Sequence, residues 1–187
     1  MTFKRGTFLL AAFLSLVASG CTSLVVKPLL DPLTLSLQRQ TDLELLQDGA
    51  PSLLLILDGL LIRDPDNRQL LMAATKAYGA YATTLYENGN IERAAAISTR
   101  ARDYGIRLLN QLPGLANLGS HPYGSVADAL RNIPAGQVGP LFWGAYGWAT
   151  WAQYQAGAPA AMADLPLIEL IMLRVVELDE SYYYGGA

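Results

Sequence analysis

Between Leu71 and Leu108 apolar and small residues recur at three- and four-residue steps, with one interruption at Glu87-Asn88-Gly89-Asn90. Leu71, Ala74, Tyr78, Ala82 and Leu85 share one stripe before the break, and Ala94, Ile97, Ala101, Tyr104 and Leu108 share another after it. A 3.6-residue period marks amphipathic helices, and two of them joined by so short a Gly-containing turn must fold back on each other. The stretch therefore predicts an antiparallel helical hairpin, closed by Pro113-Gly114. No segment alternates in the manner of a half-buried strand, so the class is all-α.

The flanking segments extend this pattern. Asp31-Pro32 offers an N-cap with proline in the first turn, and Leu33, Leu37, Leu43 and Leu46 predict a first helix that Asp48-Gly49 ends. Residues 51–62 predict a second, strongly apolar helix, which runs into the turn Arg63-Asp64-Pro65-Asp66-Asn67. A looser stretch, 115–139, holds a short helix near 125–132 between Pro122 and Pro134. Pro140 opens a helix to Gln155, and 160–178 forms the last one, giving six helices, more or less one.

The hairpin also carries a repeat signal. Tyr78-x2-Tyr81-Ala82 opens it, Gly89 turns it, and Ala94 and Ala101 follow seven residues apart. That is the spacing of a tetratricopeptide repeat, in which small residues let two helices approach while an aromatic ring fills the groove. Trp143-x2-Tyr146-Gly147 restates the opening 65 residues later, close to twice the ~34-residue period. Leu85 and Ile106 stand where Tyr and Pro are usual, so the repeat is degenerate. The expected architecture is a set of tetratricopeptide-like helical hairpins of the α-solenoid type.

The first twenty residues read as an export signal. Lys4 and Arg5 supply its positive start, and residues 8–17 an apolar stretch too short for a typical membrane span. Ala18-Ser19-Gly20-Cys21 then sets small residues ahead of the chain's only cysteine, the arrangement of a lipobox, with Ala18 in place of the usual Leu. A lone cysteine at the processing point has no disulfide partner and is the expected site of lipid attachment, rather than a bystander at the end of a secretory signal. The expected organisation is a signal peptide at 1–20, a lipidated tether at 21–30 and a helical domain at 31–187. Thr22, where Asp would argue for inner-membrane retention, points to the outer membrane, facing the periplasm. Processing removes Lys4 and Arg5 and leaves 11 basic against 16 acidic residues, a net charge of about −5, which disfavours nucleic acid as a partner. Lipid, rather than a basic patch, would hold the protein to the bilayer. At 52% hydrophobic and 16% charged, the chain is far from the composition of disordered proteins.

The helix from Pro140 to Gln155 has no polar face. Ala145, Ala149, Ala152 and Ala156 form a small-residue stripe suited to close packing, with Trp143, Gly147, Trp151 and Tyr154 opposite. Aromatic rings in such a helix serve as core or as the wall of an apolar ligand cavity. The second reading makes Trp143, Tyr146, Trp148 and Trp151 candidate ligand-binding residues, with Trp148, off both stripes, expected to be partly exposed. Arg93, Arg100 and Arg107 recur every seven residues along the second hairpin helix, either as a solvated face balanced by acids or as a docking stripe for an acidic partner. His121 is the only histidine and has no companion for a metal site, and the carboxylates of the last helix form no acid–base pair. No cofactor, metal or catalytic motif is present, so the sequence gives enzymatic activity no support.

The lipobox at Cys21, the Arg63-Asp64-Pro65-Asp66-Asn67 turn, Glu92-Arg93-Ala94 through Ala101-Arg102-Asp103-Tyr104, Leu141-Phe142-Trp143-Gly144-Ala145, and Asp164-Leu165-Pro166 leading to Glu177-Leu178-Asp179 and Tyr182-Tyr183-Tyr184-Gly185-Gly186 occur in that order. Together they resemble the TatT family, the T components of TRAP transporters, the tripartite ATP-independent periplasmic systems. The resemblance implies a periplasmic lipoprotein of tetratricopeptide-like helices that forms a homotrimer. It further implies docking to the solute-binding P component, and a pore or cavity that passes or holds small organic ligands without turnover. Family members continue beyond the tyrosine-rich segment, whereas this sequence stops at Ala187, so it is expected to be a truncated or short form. A different reading is a structural tetratricopeptide lipoprotein scaffold of the outer membrane that binds protein segments in its groove.

Overall fold

The computed structural model describes residues 32–33, 35–36, 39–118, 122–155 and 157–186. Cys21, the signal segment and His121 lie outside them. The chain divides into two units, Met1–Thr41 and Asp42–Ala187. In the first, residues 32–33, 35–36 and 39 are helical. In the second, the described residues form helices α1 (Leu43–Arg63), α2 (Arg68–Glu87), α3 (Ile91–Asn110), α4 (Tyr123–Arg131), α5 (Val138–Tyr154) and α6 (Pro159–Leu178), with a terminal turn at Tyr182–Gly185 and no strand. The all-α, helical-hairpin expectation holds.

Helix α1 corrects the reading at the N-terminal end. It starts after Asp42, whose carboxylate accepts from the Leu45 amide at 3.0 Å, and it runs unbroken through Asp48-Gly49 and Pro51. The boundary expected at Asp48-Gly49 lies inside this helix, and the break falls instead at residues 40–42, which are not helical. Pro51 removes a single backbone donor, and Gly49 is not among the residues with positive φ. The inner face Leu46, Ala50, Leu54, Leu57 and Leu61 continues at steps of four, four, three and four across both breakers, and its C-terminal half is buried. A continuous apolar stripe therefore overrides two local stop signals. The outer face exposes Leu45, Leu55, Ile56 and Ile62.

Asn67 caps α2, its side-chain oxygen accepting from the Gln69 and Leu70 amides at 3.1 Å each. The helix ends in a Schellman turn: Gly89 adopts φ +80°, its amide donates to Tyr86 and the Asn90 amide donates to Leu85. That turn reverses the chain into α3. The pairs Arg68–Gln111, Tyr78–Tyr104 and Tyr81–Arg93 run in opposite senses along the two helices, confirming an antiparallel hairpin.

Helix α5 lies antiparallel against α3, and the two backbones touch. A Cβ at Gly105 would stand 2.6 Å from the Gly144 carbonyl oxygen, one at Gly144 would stand 2.5 Å from Leu109 Cγ, and one at Gly147 would overlap the Ala101 carbonyl oxygen. The close approach thus runs along the glycines of α5 and not along its alanine stripe, of which Ala145 is buried, Ala149 and Ala152 are half-buried, and Ala156 lies outside the described residues. Helix α6 returns along α5 and buries Ala161, Ile168, Ile171 and Val175, leaving Met162, Leu165, Leu173 and Val176 exposed.

The 65-residue spacing of the aromatic motif is not two repeats of standard length. The connection from α3 to α5 contains only the nine-residue α4 and a 3-10 turn at Ala135–Gln137, because prolines at 113, 122 and 134 cut its helices short. It is nonetheless packed rather than loose: Leu112, Leu115, Leu118, Val126, Leu130 and Ile133 are all buried. Arg174 of α6 fastens it, donating to the carbonyls of Arg131 and Ile133.

If the α3–α5 approach sets the fold, Gly147→Ala should lower stability by about 1–3 kcal/mol through overpacking. Gly59→Ala, where a Cβ meets open space, should be neutral or stabilising by up to about 1 kcal/mol. The midpoints of urea unfolding at unchanged m-value compare the two.

Candidate functional site

Helices α2 and α5 run parallel, and the seam between them carries the densest aromatic packing of the described residues. Going up both helices together, Met72 faces Gly139, Lys76 faces Trp143, Gly79 faces Tyr146, and Tyr86 meets Tyr154. Gly79 is required at its position, since a Cβ there would stand 2.5 Å from the Tyr146 ring. Near the upper end of the seam the Tyr154 hydroxyl donates to Thr83 Oγ1 at 3.0 Å, which fixes that ring.

At the lower end the rings accumulate. Phe142 and Trp143 meet edge to face at 4.9 Å, and Trp143 and Tyr146 at 5.2 Å. The terminal turn adds Tyr182 against Phe142 at 5.3 Å and Tyr183 against Trp143 at 4.7 Å. Such offset and edge-on arrangements are the favourable ones for aromatic quadrupoles. The Lys76 ammonium sits 4.9 Å from the centres of both the Trp143 and Tyr183 rings, within cation–π range. Burial pushes the Tyr146 and Tyr182 hydroxyls above their ordinary pKa, against hydrogen bonds to Thr150 and Trp143 that pull the other way. Both therefore stay neutral at physiological pH and can donate a hydrogen bond.

Of the four aromatic residues singled out from sequence, only Trp143 and Tyr146 line this seam. Trp148 is 1% exposed, which corrects the expectation of partial exposure. Its indole N–H donates to Asp164 of α6 at 2.8 Å, and that bond lets a large ring with one polar atom be buried. Trp151 is half-buried beneath the Arg102 guanidinium, 4.5 Å from its centre, and Arg102 also reaches Asp164 at 3.6 Å. Trp148 and Trp151 thus belong to a junction of α3, α5 and α6, separate from the seam.

The arginines of α3 divide too. Asp58 of α1 accepts from the Tyr78 hydroxyl at 2.8 Å, the Tyr104 hydroxyl at 2.6 Å and Arg100 at 2.8 Å. Arg100 also lies over the Tyr104 ring, and Arg107 donates to the Pro65 carbonyl. These two side chains tie the hairpin to α1 and its following turn. Arg93 is exposed and, among the described residues, lies only over the face of Tyr81, at 5.9 Å, which makes its guanidinium the most available of the stripe. An open depression of about 400 Å³ runs along α3 past Arg100, Arg102, Tyr104 and Arg107. Burial pushes the Asp58 carboxyl up, but the hydrogen bonds from Tyr104, Tyr78 and Arg100, with the charge of Arg100, outweigh it and hold its pKa below the ordinary 3.8.

Sequence reasoning missed Lys76, Tyr182 and Tyr183 as members of the seam, and Asp58 as a hub. For Asp58 a signal existed: a single acid inside the strongly apolar run 51–62 asks for partners.

A model of the TRAP transporter T-component family matches residues 39–187. The chain belongs to that family. No curated protein matches it. As a TRAP T component the protein is part of a transport system, and the family is not one of enzymes. The matched span takes in α1 to α6, the seam, the arginine stripe and the terminal turn of this T component, and Cys21 lies ahead of it.

Because the folded Asp58 pKa is depressed, its contribution to stability is fully present above the unfolded value near 3.8 and is lost as pH falls through the folded value. Asp58→Asn should therefore lower stability at pH 7 and flatten the decline that sets in as pH falls below about 4. Thermal melting of both proteins across that range measures the difference.

Proposed function

We propose that this T component is exported, held at the outer membrane by lipid on Cys21 facing the periplasm, and works as a homotrimer. In that role it docks the solute-binding P component of its transporter and holds or passes a small organic ligand. The docking surface is the outer side of α3, with Arg93 foremost and Arg100 and Arg107 behind it. The ligand surface is the α2–α5 seam, with Trp143 and Tyr146 as its wall. Trp148 and Trp151 stabilise the helix junction instead of contacting ligand.

The observation that carries the reading is the aromatic seam of a TRAP-family protein, where rings from α5 and from the terminal turn converge on one lysine of α2. Apolar walls with a few convergent polar groups are how proteins hold small organic molecules. The α3 arginines support the docking role because exposed cations near an interface steer an acidic partner and raise its association rate.

The test is binding of the full chain, in nanodiscs, to the solute-binding protein of its own transporter. Specific capture that weakens about five-fold on Arg93→Glu, mostly through a slower on-rate and most strongly at low salt, is the expected result. No capture at all would favour a general outer-membrane scaffold. Cys21→Ser should abolish labelling of the protein by a clickable palmitate analogue and release it from the membrane fraction.

A further inference from the structure

Two consecutive tyrosines of the terminal turn stand in the left-handed region, Tyr183 at φ 47°, ψ 52° and Tyr184 at φ 63°, ψ 28°, and Gly185 follows at φ +72°. Left-handed backbone is cheap for glycine and costly for an aromatic residue. Two such residues in a row persist only where surrounding contacts over-determine them. Here the contacts are identifiable. Asp179 accepts from the Ser181 amide at 3.0 Å and from its hydroxyl at 2.7 Å, and the Tyr182 amide donates to the Asp179 carbonyl at 3.1 Å. From that anchor the turn lays Tyr182 on Phe142 and Tyr183 on Trp143. Tyr184 gains little beyond an edge contact with Tyr183, since it is 95% exposed.

The place that Tyr183 fills has a charge to satisfy. Lys76 lies between its ring and that of Trp143, and among the described residues no carboxylate is within 4 Å of the ammonium. A half-buried cation with aromatic faces on two sides and no counter-ion among the described residues favours a ligand that brings both a ring and a negative charge.

We propose that Tyr183 is an internal stand-in for the ligand, and that an aromatic carboxylate takes its place, its ring seated on Trp143 and its carboxylate paired with Lys76. This rests on the ligand-holding role of the seam. Displacement lets residues 183–184 leave the left-handed region while the Asp179 anchor stays, so the turn swings as a strap. Strain stored in the closed form offsets part of the work of opening it.

The experiment is calorimetric titration of the full chain in nanodiscs with 3-phenylpropionate and with its neutral amide. Tyr183→Gly removes the plug and tolerates the backbone angle, so it should bind the acid about ten-fold more tightly than the parent chain. Tyr184→Gly relaxes the closed strap and keeps the plug, so it should bind more weakly than the parent. In the Tyr183→Gly background the acid should bind about five-fold more tightly than the amide, and Lys76→Met should erase that preference. Tyr183→Asn, also compatible with positive φ, replaces Tyr183→Gly if the latter melts early. Equal affinity for the acid in parent and plug-free chains overturns the stand-in. Equal affinity for acid and amide overturns the carboxylate assignment and leaves the seam's ligand role standing. Binding of neither probe by any variant overturns the proposal and the seam's ligand role together.

Discussion

The backbone contact between α3 and α5 is the constraint on which the rest depends. With Gly105, Gly144 and Gly147 at the crossing, the helices approach so closely that a Cβ at any of the three positions would collide with the facing helix. That depth fixes how α5 is rotated. Trp143 and Tyr146 are then presented to α2, while Trp148 is driven into the junction with α6, where Asp164 supplies the acceptor its indole needs. A helix without a polar face can be soluble only inside such a sandwich, with helices against several of its sides.

Around that contact, two polar hubs hold the outer helices in register. Asp58 links α1 to the hairpin through two tyrosine hydroxyls and a guanidinium, and Asp164 links α6 to α5 and α3 through an indole and a second guanidinium. Asp58 accepts from three donors, and Asp164 accepts one hydrogen bond from the Trp148 indole and pairs with Arg102 at 3.6 Å; a partly buried carboxylate needs such partners to avoid destabilising the fold. Their geometry also sorts the cations of α3. Arg100, Arg102 and Arg107 face partners within the fold, and Arg93 faces outward.

Much of this was legible in the sequence, and what was not has physical causes. The α2–α3 hairpin could be read because its apolar period, its Gly89 turn and its small residues agree with one another, and the closing helices because of theirs. Helix α1 was divided in two because Asp48-Gly49 and Pro51 are local stop signals, whereas the inner stripe from Leu46 to Leu61 that joins them is a tertiary property. Trp148 was misplaced because periodicity ranks faces by hydrophobicity and cannot anticipate an acceptor 16 residues away. At the candidate site, Trp143 and Tyr146 were visible as aromatics of an all-apolar helix. Lys76 and Tyr183 were not, since their meeting depends on the parallel alignment of α2 with α5 and on a turn whose backbone angles tyrosine rarely adopts.

We propose above that this TRAP T component meets its solute-binding protein along α3. Site-specific photo-crosslinking in cells tests it most directly, with the photoreactive residue placed at Arg93 and, for comparison, at Leu55 on the outer face of α1. The account requires an adduct with the solute-binding protein from position 93 and none from position 55. Adducts from position 55 alone, or from neither position while the transporter is assembled and active, would contradict it.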